Sequence, residues 1–331
     1  AFETVPVPQP GKGQVLVKIK RIGICGSDIH VYHGKHPYTS YPVTQGHEVS
    51  GKIVALGKGA REDLFVGQKV TIEPQCVCGK CHPCRNGKYN LCESLKVMGF
   101  QTTGTASEYF AVDDAKITPI PQEMSYDEGA MIEPLAVTIH AVKRMGDVTG
   151  LNVAVLGCGP IGILLSQSLK ALGAAKVMVT DISDYRLELA RKMGVDAAVN
   201  TAKEDLPQIM KEQGLVEGFD VGLEMSGNGM ALQQMISVMR NGGKISLLGI
   251  SNKPVPMDMN TIITKGLTLQ GIYGRHLDNW HQMSYMVQGG LDVSPIITHR
   301  FHYTDFQKGF EAMNSGKSGK VVLDWTTKKE D

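Results

Sequence analysis

The chain has 331 residues, is 42% hydrophobic and 20% charged, and carries a formal net charge of +1. That length and composition suit a folded protein of two domains with ample cores. The near-neutral charge gives no footprint for nucleic acid or an anionic membrane, and there is no long apolar span or secretory pattern. No nucleic-acid or membrane partner is therefore expected, and the cytoplasm is the expected compartment. The sequence opens abruptly at Ala1 with Phe-Glu-Thr-Val-Pro, which reads as the continuation of an upstream strand. Of seven cysteines, five lie between Cys76 and Cys92, a clustering that favours metal over scattered disulfides.

Gln14 to Lys20 alternates apolar and polar residues and predicts a half-buried strand. Gly23-Ile-Cys25-Gly-Ser27-Asp28-Ile-His30 follows, then a loop from Val31 to Pro42, then Gln45-Gly-His47-Glu48 leading into a second alternating strand, Val49 to Leu56. Cys25, His47 and Glu48 offer a thiolate, an imidazole and a carboxylate. Three such ligands suit zinc with one position left for substrate. A buried inert thiol and a hydrogen-bonded histidine are the plainer alternative.

Cys78-x-x-Cys81-x-x-Cys84-x7-Cys92 predicts a closed tetrahedral site, hence structural zinc, with an iron–sulfur cluster as the alternative. Lys80, Arg85 and Lys88 would offset thiolate charge, and Cys76 is the spare thiol. Gly104 to Val112 reads as a strand, and Ser125 to Met145 as a helix interrupted at Glu133-Pro134. Glu133 is either an acid among apolar neighbours that needs a partner or metal, or an exposed charge.

From Asn152 the pattern changes. An apolar run ends in Gly157-x-Gly159-Pro160-Ile161-Gly162, a helical stretch follows, and a second apolar run ends in Asp181. Strand, glycine turn, helix, strand and acid make a dinucleotide-binding βαβ unit. Gly157 permits the turn, Gly159 the approach of a pyrophosphate, and Gly162 close packing of the helix. Asp181 can take both ribose hydroxyls and repel a 2′-phosphate, which favours NAD. Strand-like runs at Val153, Val177, Ala197, Phe219, Lys244 and Leu267 predict a six-stranded doubly wound sheet. Leu248, Ile250, Ile272 and Tyr273, at or beyond strand ends, and Arg186 in the helix after Asp181, are candidate cofactor contacts. Arg275 is either a cofactor or substrate contact or a surface salt bridge. Trp280 to Val287 reads as an amphipathic helix stopped by Gly289-Gly290, with short strands and one helix after it and a polar tail from Thr326.

Four signals in order (Gly-x-Cys25-Gly-Ser27-Asp28, Gly46-His47-Glu48, the four cysteines and the glycine turn) resemble the zinc-dependent medium-chain dehydrogenases along the whole chain. The resemblance implies an α/β fold. A GroES-like, β-rich catalytic domain (residues 1–135 with a zinc lobe at 76–92, and 275–331) would carry an inserted Rossmann NAD-binding domain at 136–274. It implies one catalytic zinc on Cys25, His47 and Glu48 with Glu133 at or beside the metal, and one structural zinc on Cys78, Cys81, Cys84 and Cys92. Ser27 and His30 match a relay that carries the alcohol proton to solvent. The implied reaction oxidises a secondary alcohol to a ketone with hydride transfer to NAD⁺, zinc acidifying the hydroxyl. A homo-oligomer, a tetramer by analogy, is implied as well.

Two subfamilies are mixed. Ile72-Glu-Pro-Gln75 and Gly129-Ala-Met-Ile-Glu133-Pro-Leu-Ala-Val137 resemble sorbitol (iditol) dehydrogenases. Residues 184–194, 217–227 and 294–301 resemble bacterial L-threonine 3-dehydrogenases, which carry a histidine where Gln75 stands and a Trp-rich loop where Tyr32 to Tyr41 stands. Weighting the substrate domain over the second half favours a polyol, with L-threonine the alternative and a hybrid of the two a third reading. Rivals from other classes are a zinc-free quinone or enone reductase and a non-catalytic NAD-binding protein.

Overall fold

The computed structural model describes residues 2–251 and 253–326. Strand Gln14–Ile24 runs through the middle of the first sheet, burying Val15, Val17, Ile19 and Ile22. It pairs antiparallel with Glu48–Leu56, with Tyr109–Asp113 along its first half and with Lys320–Asp324 along its second. Lys69–Ile72 and Ile117–Pro119 extend one side, and Ile297–His302 the other, making seven strands. The last strands of the chain therefore complete the sheet that the first one begins. The first strand runs four residues beyond the expected Lys20, and so delivers Cys25 from its end.

The strand expected from Gly104 to Val112 is shorter, at Tyr109–Asp113. Residues 104–106 turn aside because their amides donate to Thr44, Gly46 and Gln45 carbonyls, bracing the segment that carries His47. The polar tail after Thr326 lies outside the described residues.

Helix Tyr126–Met145 starts on Ser125, whose hydroxyl accepts from the Glu128 amide while the Glu128 carboxylate takes the Ser125 N–H. The expected interruption at Glu133-Pro134 is absent. The helix continues through Pro134, and burial of residues 129–136 on nearly every side holds it in place of the lost hydrogen bond. The division expected at residue 135 falls inside this helix.

The second sheet is wholly parallel, in the order Ala197–Asn200, Lys176–Asp181, Asn152–Leu156, Phe219–Glu224, Met239–Leu247, Thr268–Gly271. All six expected strands are present, and the order reverses direction beside Asn152–Leu156, where such sheets open a crevice. Helix Asp278–Gln288 buries Trp280, Met283 and Val287 in the same core as Val153, Val155 and Ile139. By packing it belongs with the parallel sheet, and the chain returns to the first sheet only at Ile297. Among the described residues no helix is long and apolar enough to cross a membrane.

Candidate active site and metal centres

Cys25, at the end of the first strand, and His47-Glu48, at the start of the second, are brought together by register: Gly23 faces Glu48. A side chain at Gly23 could not be accommodated, since its Cβ would stand 2.1 Å from Glu48 Oε2. One ligand atom each from Cys25, His47 and Glu48 lies within 4.8 Å of the others. Burial, and then the charges of Arg275 and Lys320, hold the His47 imidazole well below its ordinary range, so it is neutral, the form that binds metal. Asp28 Oδ2 accepts from the Cys25 amide at 2.8 Å, and its Oδ1 stands 3.6 Å from His47 Nδ1, too far for a hydrogen bond. Burial, followed by Glu48, pushes the Cys25 thiol up to about 12. A thiol, a carboxylate and a neutral imidazole, all desolvated, fit a divalent cation that would stabilise both anions.

Glu133 lies outside this ligand cluster. It is buried, not exposed, and its Oε1 pairs with Arg275 Nη1 at 2.7 Å. Of the two places expected for Glu133, at the metal or beside it, the geometry has it beside the cluster, paired with Arg275. Arg275 in turn is not a surface salt bridge. It is 7% exposed, and its Nε and Nη2 are buried without a partner among the described residues. Burial raises Glu133 to about 7 against the opposing pull of Arg275.

Two further residues come from the tertiary structure. Lys320, buried at the start of the last strand, pairs with Glu48. Burial opposes its charge, but Glu48, Cys25 and Glu133 outweigh that and hold it above its ordinary range. A lysine opening a strand gives no sequence signal for this, and its partner is 272 residues away. Phe100 lies with its ring 4.8 Å from His47 and stacked at 4.9 Å on His36 of the 31–42 loop, walling the site on that side. Ser27 and His30 share one face of helix Gly26–Tyr32, the serine half-buried and the histidine exposed, as a relay from site to solvent requires.

The sulfurs of Cys78, Cys81, Cys84 and Cys92 also lie within 4.8 Å of one another, and Cys76 stands outside the set. The Cys78 and Cys81 amides donate to the sulfurs of Cys92 and Cys78 at 3.3 and 3.4 Å. The Lys80 and Cys81 amides bring Cys78 down to about 6, toward the thiolate that binds metal.

At the crevice of the parallel sheet, Gly157 has φ +98°, and a Cβ on Gly162 would meet the Gly157 carbonyl at 1.9 Å. A Cβ on Gly159 would meet nothing, so the cradle above it is open to a phosphate, at the N-terminus of helix Pro160–Ala171 that Ile161 also begins. Asp181 accepts from the amides of Cys158, Ile182 and Ser183 at 2.8, 2.8 and 2.9 Å. A carboxylate has roughly four acceptor positions. Backbone amides take most of them, which narrows the expected pairing with both ribose hydroxyls to about one. Arg186 Nη1 lies 3.9 Å from Asp181. Leu248 and Ile272 sit at the same sheet edge, their amides bonded to Glu224 and Leu247 carbonyls at 3.0 and 2.8 Å. Ile250 and Tyr273 are exposed beside them.

The alcohol dehydrogenase GroES-like domain matches residues 11–122, and the zinc-binding dehydrogenase domain matches residues 160–289. The chain belongs to the zinc-dependent medium-chain dehydrogenases. An L-threonine 3-dehydrogenase of Rhizobium etli is 44% identical over 98% of this chain and 94% of its own length. Among solved structures, 2R,3R-butanediol dehydrogenase from Bacillus subtilis superposes with a TM-score of 0.90 at 31% identity, covering 97% of this chain and 95% of that one. An alcohol dehydrogenase from Escherichia coli CFT073, complexed with NADH, does so with a TM-score of 0.88 at 30% identity, covering 96% and 94%. This dehydrogenase therefore has an α/β fold of a GroES-like domain and a Rossmann-type sheet, and it is a zinc- and NAD-dependent enzyme.

Proposed function

We propose that the enzyme oxidises the 3-hydroxyl of L-threonine, giving 2-amino-3-oxobutanoate and NADH. The preference for a polyol drawn from Gln75 and the Tyr32–Tyr41 loop is reversed. The similarity to threonine dehydrogenases extends over 98% of the chain, substrate domain included, where the sequence motifs had suggested only the second half.

The geometric observation that supports this reading is the buried pair of Glu133 and Arg275 beside Cys25, His47 and Glu48. An amino acid brings a carboxylate and an ammonium to the site. The free Nε and Nη2 of Arg275 suit the first and the carboxylate of Glu133 the second. A neutral polyol would leave the pair to neutralise itself and would offer no anion to the Nε and Nη2 of Arg275.

Cys25, His47 and Glu48 would hold zinc, which would supply Lewis acidity toward the hydroxyl, and the glycine turn would hold the NAD⁺ that would accept the hydride. The chain's own groups do the rest. Asp28 holds the Cys25 backbone through its amide, Phe100 covers His47 on the side of the 31–42 loop, and Ser27 and His30 carry the proton outward. A vicinal diol is the second reading, favoured by Gln75 and by the superposition on butanediol dehydrogenase.

The test is NADH formation by zinc-loaded protein on L-threonine, sorbitol, xylitol, iditol and 2,3-butanediol. Turnover of threonine at least tenfold above the others supports the proposal. Turnover of a polyol or diol with threonine silent overturns it.

A further inference from the structure

The four-cysteine lobe is not a free appendage. Asn90, in the turn Tyr89–Leu91 just before Cys92, is 5% exposed, and its Nδ2 donates to the Tyr273 carbonyl at 2.8 Å. His276 Nε2 lies 2.6 Å from the carbonyl of Gly87, inside the lobe, while its Nδ1 lies 2.7 Å from Asp278 Oδ1. Gln75, at the stem of the lobe, has its amide against the Arg275 carbonyl and Glu73 Oε1, and with its nitrogen assigned to that side, which satisfies both acceptors, it donates to them at 2.9 and 3.2 Å. Three of the four residues 273–276 are thus held by the lobe or its stem. Arg275 is one of the three, and its side chain reaches Glu133 at 2.7 Å.

We propose that the cysteine lobe is a clamp that sets Arg275 in the active site, and that Asn90 is a positioning residue for the substrate step. This rests on the reading that Arg275 meets the substrate. The physical argument is geometric. The carbonyls of Tyr273 and Arg275 bracket the Arg275 backbone, so fixing both fixes where the guanidinium can reach. The segment also joins the last strand of the parallel sheet to helix Asp278–Gln288, so without the lobe it is a connection between two cofactor-domain elements. A guanidinium displaced by about 1 Å stretches a hydrogen bond of about 2.9 Å to a bound carboxylate beyond its working range, which weakens substrate binding. The metal of the lobe then acts on kinetics as well as on folding, although its ligands touch no substrate.

The test is a double-mutant cycle in zinc-loaded full-length enzyme, with Asn90→Ala, Arg275→Ala and the pair, on L-threonine or the most active alcohol of the panel above. Zinc content and melting are checked for each variant. Asn90→Ala is expected to raise KM roughly tenfold with kcat within about twofold, and to have no further effect once Arg275 is alanine. Equal fold-losses from Asn90→Ala in both backgrounds would overturn the clamp, as would unchanged kinetics beside a clear Arg275→Ala defect. Parental kinetics for Arg275→Ala would instead overturn the substrate role of Arg275, and the clamp with it. Should Asn90→Ala fail to fold, His276→Ala supplies the same cycle from the other end of the segment.

Discussion

Lys320→Met isolates the charge balance of the candidate metal centre. Lys320 and Glu48 are 2% and 1% exposed, so the lysine is removed from a fully desolvated pair. Breaking a buried pair by deleting one partner costs about 3–5 kcal/mol, because the other charge is left uncompensated. That cost applies to the metal-free protein. With zinc on Cys25, His47 and Glu48, the cation compensates Glu48 directly, and less than half of the loss should remain. The two states are linked through zinc binding. A difference of about 1.4 kcal/mol or more between them means that the variant binds its catalytic zinc roughly tenfold or more tightly than the parent. Guanidinium denaturation of metal-free and zinc-saturated protein reads the stabilities. Competition against a chromogenic chelator reads the affinity, with Cys25→Ser as the reference for the four-cysteine site. The reasoning is refuted if the variant loses equal stability in both states, or if its zinc affinity falls. The second result would make Lys320 a residue that orients Glu48 as a ligand.

Two further substitutions test the other sites. Cys84→Ser removes a buried thiol of the four-cysteine site and should lose one zinc per chain together with several degrees of melting temperature. Normal melting at full zinc content would remove the structural role. Asp181→Ser removes the carboxylate proposed to meet the ribose and releases Arg186, 3.9 Å away, to meet a 2′-phosphate. The ratio of kcat/KM for NAD⁺ over NADP⁺ should fall about tenfold or more, and an unmoved ratio would take Asp181 out of cofactor selection.

Short-range chemistry was legible without coordinates. The glycine turn, its helix and Asp181 carry backbone requirements within some two dozen residues, so the cofactor crevice reads directly from the string. Cys78 to Cys92 does likewise, because a closed metal site needs its thiols close in sequence to form a small lobe. Cys25 and His47-Glu48 sit at the ends of alternating strands, but their spacing left convergence open; the family resemblance implied it, and the pairing of Gly23 with Glu48 supplies it. What only the tertiary structure decided are partnerships across the chain. Glu133 could have met metal, solvent or a base, and the packing of Tyr273–His276 against the lobe gave it Arg275. Lys320 looks like a surface lysine until Lys320–Asp324 closes the first sheet beside Gly23. Pro134 looks like a helix end until burial on nearly every side carries the helix through it. In each case the deciding contact joins residues more than a hundred positions apart or depends on a neighbouring layer, and local pattern carries no information about either.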